Sequence, residues 1–471
     1  MNHVEAIARR AAAATQPFAS LQDVRRAQLL DGIAGALDAA TDELVDVAGE
    51  ETALAEGRLR GELARTTAQL RKFGAVVVEG AYLEATVDHA DSSDVPPRPD
   101  LRRVLRPIGP VAVFAASNFP FAFSVAGGDT ASALAVGCPV IVKTHPGHPR
   151  TSALTARLVA EALAAGGAPD GVFQTVAGFE EGLELVDAEP IEAVAFTGSL
   201  RAGRALLERC ASRPRPIPFY GELGSLNPVV VTPDADAARG GELAAGLADS
   251  FQLGDGQFCT KPGLVLVPEG SALEAALPAH VVAGRPRMLT PTIAEGYETG
   301  RERASAIPGV EVLAGGDAAT APTVLAADAA TLLAHRELLD EVFGPVTVLV
   351  RYRDAAVLDE VLETLEGSLT MTLHAQPGED VAGLADWMAS RAGRVLFGGW
   401  PTGVAVSWAQ HHGGPWPATN TVFSSVGATA VRRFLRPVVF QDAPASVLPP
   451  ALHDDNPLGI PRRVDGRLEL P

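Results

Sequence analysis

The sequence predicts an α/β protein with a doubly wound, parallel sheet, and three observations carry that expectation. Short β-rich runs alternate with helical runs between residues 111 and 211, amphipathic helix precedes them, and a second αβ series begins near Asn227. A chain of 471 residues with 47% apolar content buries a core large enough for two or three domains.

From Leu21 to Leu54 apolar residues recur at helical spacing, as at Leu29, Ile33 and Leu37, and a second such stretch runs from Leu63 to Val77. Residues 88–107 (DHADSSDVPPRPDLRRVLRP) are polar and proline-rich, which blocks helix and predicts extended chain leaving the first core. The alternation follows: VAVFAA (111–116) then helix over 124–136; PVIVK (139–143) then 151–165; GVFQTV (171–176) then 180–187; IEAVAF (191–196) then 199–211. NPVVV, a helix from about Asp236 to Gln252 and the run LVLV continue the pattern. The Gly-, Pro- and Ala-rich middle beyond them defines no element, and the tail after Gln441 is proline-rich and extended.

With 38 basic and 57 acidic side chains the formal charge is −19, so the average field repels nucleic acid and anionic membranes, and a phosphate-bearing ligand needs a local site. Three cysteines cannot build a disulfide framework in a chain this long, which fits a reducing compartment. Cys138 and Cys210 read as small buried residues. No signal-like run opens the chain and no segment offers about 20 uninterrupted apolar residues, so a cytoplasmic protein is expected.

Six short constellations carry chemistry. In SNFPFAF (117–123), directly after a strand, Asn118 can aim its amide at a developing oxyanion or simply cap the next turn. In PVIVKTHPGHP, Lys143 ends a strand at the carboxyl edge, where an ammonium suits a ribose or its phosphate. In AVAFTGSLRAG, Thr197, Gly198 and Ser199 lead a strand into a helix N-terminus, which attracts a pyrophosphate; no G-x-G-x-x-G lies nearby. In FYGELGSLNP, Glu222 sits between Gly221 and Gly224, where a carboxylate can approach a ligand and act as a base through water. In LGDGQFCTKPG, Cys259 occupies a glycine-rich turn rather than an apolar run, the setting of a reactive thiol. In EVFGPV (341–346), Glu341 can bond a ribose diol and Phe343 can press on a nicotinamide ring.

The order and spacing of all six resemble the aldehyde dehydrogenase superfamily from about Leu21 onward. The longer runs ASNFPFAFSVAGGDTASALAVGCPVIVK, GQFCTKPG, GWPTGV, HGGPWPAT and SVGATAVRRFLRPVVFQD are similar to the branch containing 2,5-dioxovalerate (α-ketoglutarate semialdehyde) dehydrogenases and NADP-dependent fatty aldehyde dehydrogenases. An additional N-terminal hairpin segment usual in the family is expected to be missing, because the first helix starts within about twenty residues.

The resemblance implies the aldehyde dehydrogenase fold: a Rossmann-like cofactor domain (1–87 and 107–223), an αβ catalytic domain (224–425), and a β oligomerisation arm with the C-terminal tail (88–106 and 426–471). It implies Cys259 as nucleophile, Asn118 and the Cys259 backbone N–H as oxyanion hole, and Glu222 as deacylating base. Lys143, Thr197, Gly198, Ser199, Leu223, Glu341 and Phe343 would hold the dinucleotide, and no metal is expected. No acid lies within Thr144–Arg150, so NADP is the expected cofactor, with Arg150 near its 2′-phosphate and NAD also possible. The expected substrate is a small aldehyde, 2,5-dioxovalerate oxidised to 2-oxoglutarate, with Lys261, His411 and His412 meeting its carboxylate. Phe119, Phe121, Phe123 and Trp408 lining an apolar tunnel would instead suit fatty aldehydes.

Glu222 argues against a CoA-acylating reductase, which has no need of activated water. A cysteine hydrolase requires an imidazole beside the thiol, and none of the ten histidines lies in a recognisable motif for it. A non-catalytic homologue is the alternative of another class. The edges of RFLRPVVFQD and of the 88–106 excursion imply a homodimer or homotetramer.

Overall fold

The computed structural model describes residues 2–282, 287–316, 318 and 320–471. Four helices open it: α1 (His3–Ala19), α2 (Asp23–Ala39), α3 (Thr41–Thr52) and α4 (Glu56–Glu79). The buried face of α1 is largely alanine, with Val4, Ile7 and Phe18, which is why periodicity counted from Leu21 overlooks it. The stretch from Leu21 to Leu54 is two helices, because Thr41 Oγ1 donates to the Asp38 carbonyl at 2.7 Å and ends the first. Asp42 and Glu43 then place negative charge on the positive end of the second.

After β1 (Thr86–Asp88) and β2 (Leu101–Pro107) come β3 (Val111–Phe114), α5 (Gly128–Ala135), β4 (Val140–Lys143), α6 (Pro149–Ala165), β5 (Phe173–Val176), α7 (Phe179–Asp187), β6 (Ala193–Thr197), α8 (Leu200–Ala211) and β7 (Phe219–Glu222). These five later strands form a parallel sheet of order β5-β4-β3-β6-β7. The winding reverses between β3 and β6, so the loops after them, carrying Asn118 and Thr197–Ser199, open on one crevice at the carboxyl edge. Helices cover both faces: Val4, Leu185 and Leu206 pack on one, Leu30, Leu70 and Leu134 on the other. Each fully buried Val or Leu there contributes about 1.5–3 kcal/mol.

The next series runs β8 (Val229–Val231), α9 (Pro233–Gln252), β9 (Leu264–Pro268), α10 (Ala272–Ala276), α11 (Pro291–Ser305), β10 (Glu311–Ala314), β11 (Thr323–Asp328), α12 (Ala329–Ala334), β12 (Val346–Tyr352), α13 (Ala355–Leu362), β13 (Ser368–His374), α14 (Ala382–Arg391) and β14 (Ala392–Phe397). It makes a seven-stranded sheet, β10-β11-β12-β9-β8-β13-β14, parallel except at β10. The Gly-, Pro- and Ala-rich middle thus holds regular elements whose apolar positions are too few to show a period.

β15 (Leu435–Gln441), β16 (Arg462–Val464) and β17 (Arg467–Glu469) complete a third sheet, β15-β2-β1-β16-β17. The proline-rich excursion and RFLRPVVFQD meet in it, with β2 and β15 antiparallel from Leu101↔Gln441 to Pro107↔Leu435. Among the described residues no helix is long and apolar enough to cross a membrane.

Candidate active site

Cys259 sits on the short connection between α9 and β9, and the chain reaches it through three left-handed residues, Gly254, Asp255 and Gly256. A Cβ on Gly256 would lie 2.3 Å from the Gly344 carbonyl carbon, so only glycine lets the loop pass under the segment before β12. Asn227, itself at φ 51°, staples the far side: its Nδ2 donates to the carbonyls of Cys259 (2.8 Å) and Lys261 (2.9 Å). Its Oδ1 accepts from Ser225 Oγ and Thr370 Oγ1. Asn227→Ala strands these buried groups, and a loss of roughly 3 kcal/mol in urea unfolding is expected. The Cys259 thiol is half-buried, whereas Cys138 and Cys210 are enclosed and burial pushes both thiols up to about 12.

Glu222 ends β7, an edge strand, and residues 412–425 run alongside it. Asn420 imitates a neighbouring strand, accepting from Gly221 N at 2.8 Å and donating to Phe219 O at 2.7 Å, while Glu222 and Thr419 form a β-bridge. His412 and Ser425 close this excursion through Ser425 N to His412 O at 2.9 Å. Both side chains therefore land on Glu222: Ser425 Oγ donates to Oε2, and His412 Nε2 lies 2.6 Å from Oε1. The same Nε2 is 3.6 Å from Cys259 Sγ, so one ring nitrogen stands between the sulfur and the carboxylate.

Sulfur, imidazole and carboxylate all lie within 4.8 Å of one another. Burial alone would strip His412 of its proton, but the Glu222 carboxylate and the Cys259 sulfur beside it overrule burial and push its pKa up to about 10. Burial works against the Glu222 carboxylate, yet His412, Ser425 and Arg433 hold its pKa below the usual value. The 2.6 Å pair spacing is that of an ion pair; two ligands sharing a tetrahedral metal at about 2.0–2.3 Å would stand further apart.

Asn118 faces this group across the crevice. It is buried after β3 and donates one amide N–H to the Gln257 carbonyl at 3.1 Å, which fixes it beside the Cys259 loop. Phe119, Phe123 and Phe258 form an edge-to-face cluster next to it.

Of the residues expected around a dinucleotide, Lys143, Thr197, Gly198, Ser199 and Leu223 stand at the carboxyl edge of the five-stranded sheet, and Glu341 and Phe343 precede β12 of the other sheet. Lys143 is half-buried, Ser199 caps α8 by accepting from Ala202 N, and the Gly198 N–H goes to the Glu222 carbonyl. Thr197 lines one cleft with Glu222, His412 and Ser425. Leu223 packs its side chain on Gly203 of α8. Glu341 lies against Gly224, where a Cβ would come within 2.3 Å of its Oε2. Burial raises the Glu341 pKa to about 7, opposed by Lys261. Phe343 is half-buried in the segment before β12.

Several expectations about the substrate end need correction. Lys261 turns inward and donates to the carbonyls of Val342 (3.2 Å) and Val346 (2.7 Å), because β9 begins three residues later and draws it into the sheet. His412 is bound to the thiol and Glu222, leaving it no role as a carboxylate binder, and it is the imidazole that no sequence motif revealed. His411 packs against Gly393 and Gly413. Phe121 belongs to the core, and Trp408 is 51% exposed under Lys72, so only Phe119 and Phe123 of the four aromatic residues border the site. Arg150 is taken by Glu50 at 2.8 Å, with its own N–H on Glu51.

A doubly wound sheet with a thiol, an amide and a carboxylate gathered at its carboxyl edge is the frame of a dinucleotide-type α/β oxidoreductase. The chain belongs to the aldehyde dehydrogenase family, whose sequence profile matches residues 1–415. It is 46% identical over 469 residues to α-ketoglutaric semialdehyde dehydrogenase 2 of Azospirillum brasilense, covering 96% of this chain and 88% of that protein. It is 42% identical to α-ketoglutaric semialdehyde dehydrogenase of Acinetobacter baylyi, covering 97% and 90%. Among solved structures, aldehyde dehydrogenase 21 of Physcomitrella patens, in complex with the reaction product succinate, superposes with a TM-score of 0.78 at 22% identity, covering 94% of this chain and 90% of that one. The fold is the aldehyde dehydrogenase fold.

Proposed function

We propose that this protein oxidises 2,5-dioxovalerate to 2-oxoglutarate through a thioester on Cys259. The juxtaposition of Cys259, His412 and Glu222 supports the covalent route, and the two semialdehyde-dehydrogenase relatives support the substrate.

Cys259 Sγ adds to the aldehyde carbon and the carbonyl pair moves to oxygen, where the Asn118 amide meets it. A donor so placed is worth about 3–4 kcal/mol, so Asn118→Ala lowers kcat by roughly 100- to 1,000-fold in steady-state assays. A bound nicotinamide supplies the acceptor for the two electrons and hydrogen that the carbon gives up. Water then adds to the thioester carbon and its proton passes to the Glu222 carboxylate. The carbon–sulfur bond breaks with its pair returning to sulfur, opposite the His412 imidazolium.

Lys143, Thr197, Gly198, Ser199, Leu223, Glu341 and Phe343 fit a dinucleotide: a half-buried ammonium and a helix N-terminus stand on one sheet edge, and Gly224 leaves Glu341 room to face a ribose. Within the family's NAD(P) requirement, the stretch Thr144–Arg150 beside the half-buried Lys143 carries no acid to repel a 2′-phosphate, which favours NADP, with NAD the alternative.

The unpaired edges of β15 and β14 favour a homodimer or homotetramer, to be read as mass in light scattering, and the three unpaired cysteines favour the cytoplasm. The deciding assay compares kcat/KM for 2,5-dioxovalerate, succinic semialdehyde and decanal with each cofactor, with and without CoA. The dioxovalerate–NADP pair should be highest and free acid the product; a preference for decanal or an acyl-CoA product would overturn the reading, and a much lower KM for NAD would overturn the cofactor preference.

A further inference from the structure

Helix α4 turns two arginines toward the crevice, and nothing in the reaction as described uses them. Arg58 donates from Nη2 to the Asn118 carbonyl at 2.7 Å and lies over the rings of Phe119 and Phe258, at 5.3 and 4.8 Å. It thus touches the residues adjoining both the oxyanion amide and the nucleophile. Arg65, two turns on, lies 5.2 Å over Phe123, and its charge acts on Cys259 and Glu222.

Both guanidinium groups are short of partners. Arg58 Nε and Nη1 and Arg65 Nη1 and Nη2 are enclosed and meet no hydrogen-bond acceptor among the described residues. The carboxylate between them, Glu62, spends Oε1 on the backbone N–H groups of Phe121 (2.8 Å) and Ala122 (3.0 Å). This face of α4 therefore carries two cations to one acid. Enclosing unpaired N–H groups costs free energy, and a chain of formal charge −19 repels anions at long range. A surplus of donors maintained against both effects suits an anion that arrives with the substrate. Arginine presents the planar fork that fits a carboxylate, and the ends of a five-carbon semialdehyde are about 5 Å apart by ordinary C–C bond lengths.

We propose that Arg65, backed by Arg58, forms the subsite for the carboxylate at the far end of a dicarboxylic semialdehyde, replacing the role first expected of Lys261. This rests on the reading of Cys259 as the nucleophile of aldehyde oxidation.

The test compares 2,5-dioxovalerate with pentanal, an uncharged aldehyde of the same chain length, in wild type, Arg65→Met, Arg65→Lys and Arg58→Gln. The ratio of their kcat/KM values should fall by about 100-fold in Arg65→Met, chiefly through KM for the acid, and by less in Arg65→Lys. A ratio that stays constant while both aldehydes are still oxidised overturns the subsite and leaves the chemistry standing. Failure of the wild type to oxidise any aldehyde overturns both. Alkylation of Cys259 in the unmodified protein gives a second readout: pentanoate should slow it at concentrations where pentan-1-ol does not, and equal effects overturn the subsite.

Discussion

Replacing Cys259 by alanine is expected to abolish NAD(P)H formation, with a drop in kcat of at least roughly 10,000-fold, while the thermal midpoint moves by no more than about 3 °C. The two halves of this expectation have separate physical sources. The sulfur is half-buried and its polar partner is His412 at 3.6 Å, so its removal takes little from packing. The reaction loses the atom that bonds to carbon, and neither Glu222 nor Asn118 can replace it. A variant keeping a tenth of the wild-type rate would remove Cys259 from the mechanism. Equal loss of Cys138→Ala would show the same thing, since that thiol is sealed in the core and bonded to the Phe434 carbonyl.

The second large effect concerns His412 and Glu222, which act as a pair. His412→Gln and Glu222→Gln should each lower kcat by about 1,000-fold, and the double variant should fall hardly further, because either change already breaks the arrangement that holds charge opposite the sulfur. Independent effects that multiplied would contradict a shared role. Stability supplies a check that bypasses turnover. His412 has a pKa raised from 6.5 to about 10, so its contribution is complete below pH 6.5 and is lost as the pH rises toward 10. Glu222 is lowered from 4.5, so its contribution holds above that pH and is lost as the pH falls through its depressed value. Urea unfolding at pH 6, 8 and 10 should show the wild type losing stability across this alkaline range and His412→Gln losing less. Parallel slopes would mean that the imidazole is neutral in the folded protein.

These expectations drew unequally on sequence and fold. The alternation from 111 to 211 was legible because strand and helix periods are written in adjacent residues, and β3 to α8 fall within a few positions of the expected runs. Asn118, Glu222 and Cys259 stood out for the same reason: each follows a strand or occupies a glycine-rich turn, a local setting with local chemistry. The helical spacing from Leu21 to Leu54 was legible too, and what it does not record is the break at Ala40 that divides it into α2 and α3.

What the sequence alone determined was the parallel αβ framework and the three residues whose settings are written by their immediate neighbours. Tertiary structure decided their company: His412 stands 153 residues from Cys259, and Ser425 stands 203 from Glu222. It also decided that Lys261 turns into the sheet and that Arg65 lies over Phe123. Charge and hydrogen bonding act through space at a few ångströms, and no pattern along the chain records which distant segment closure of the fold will bring within that range.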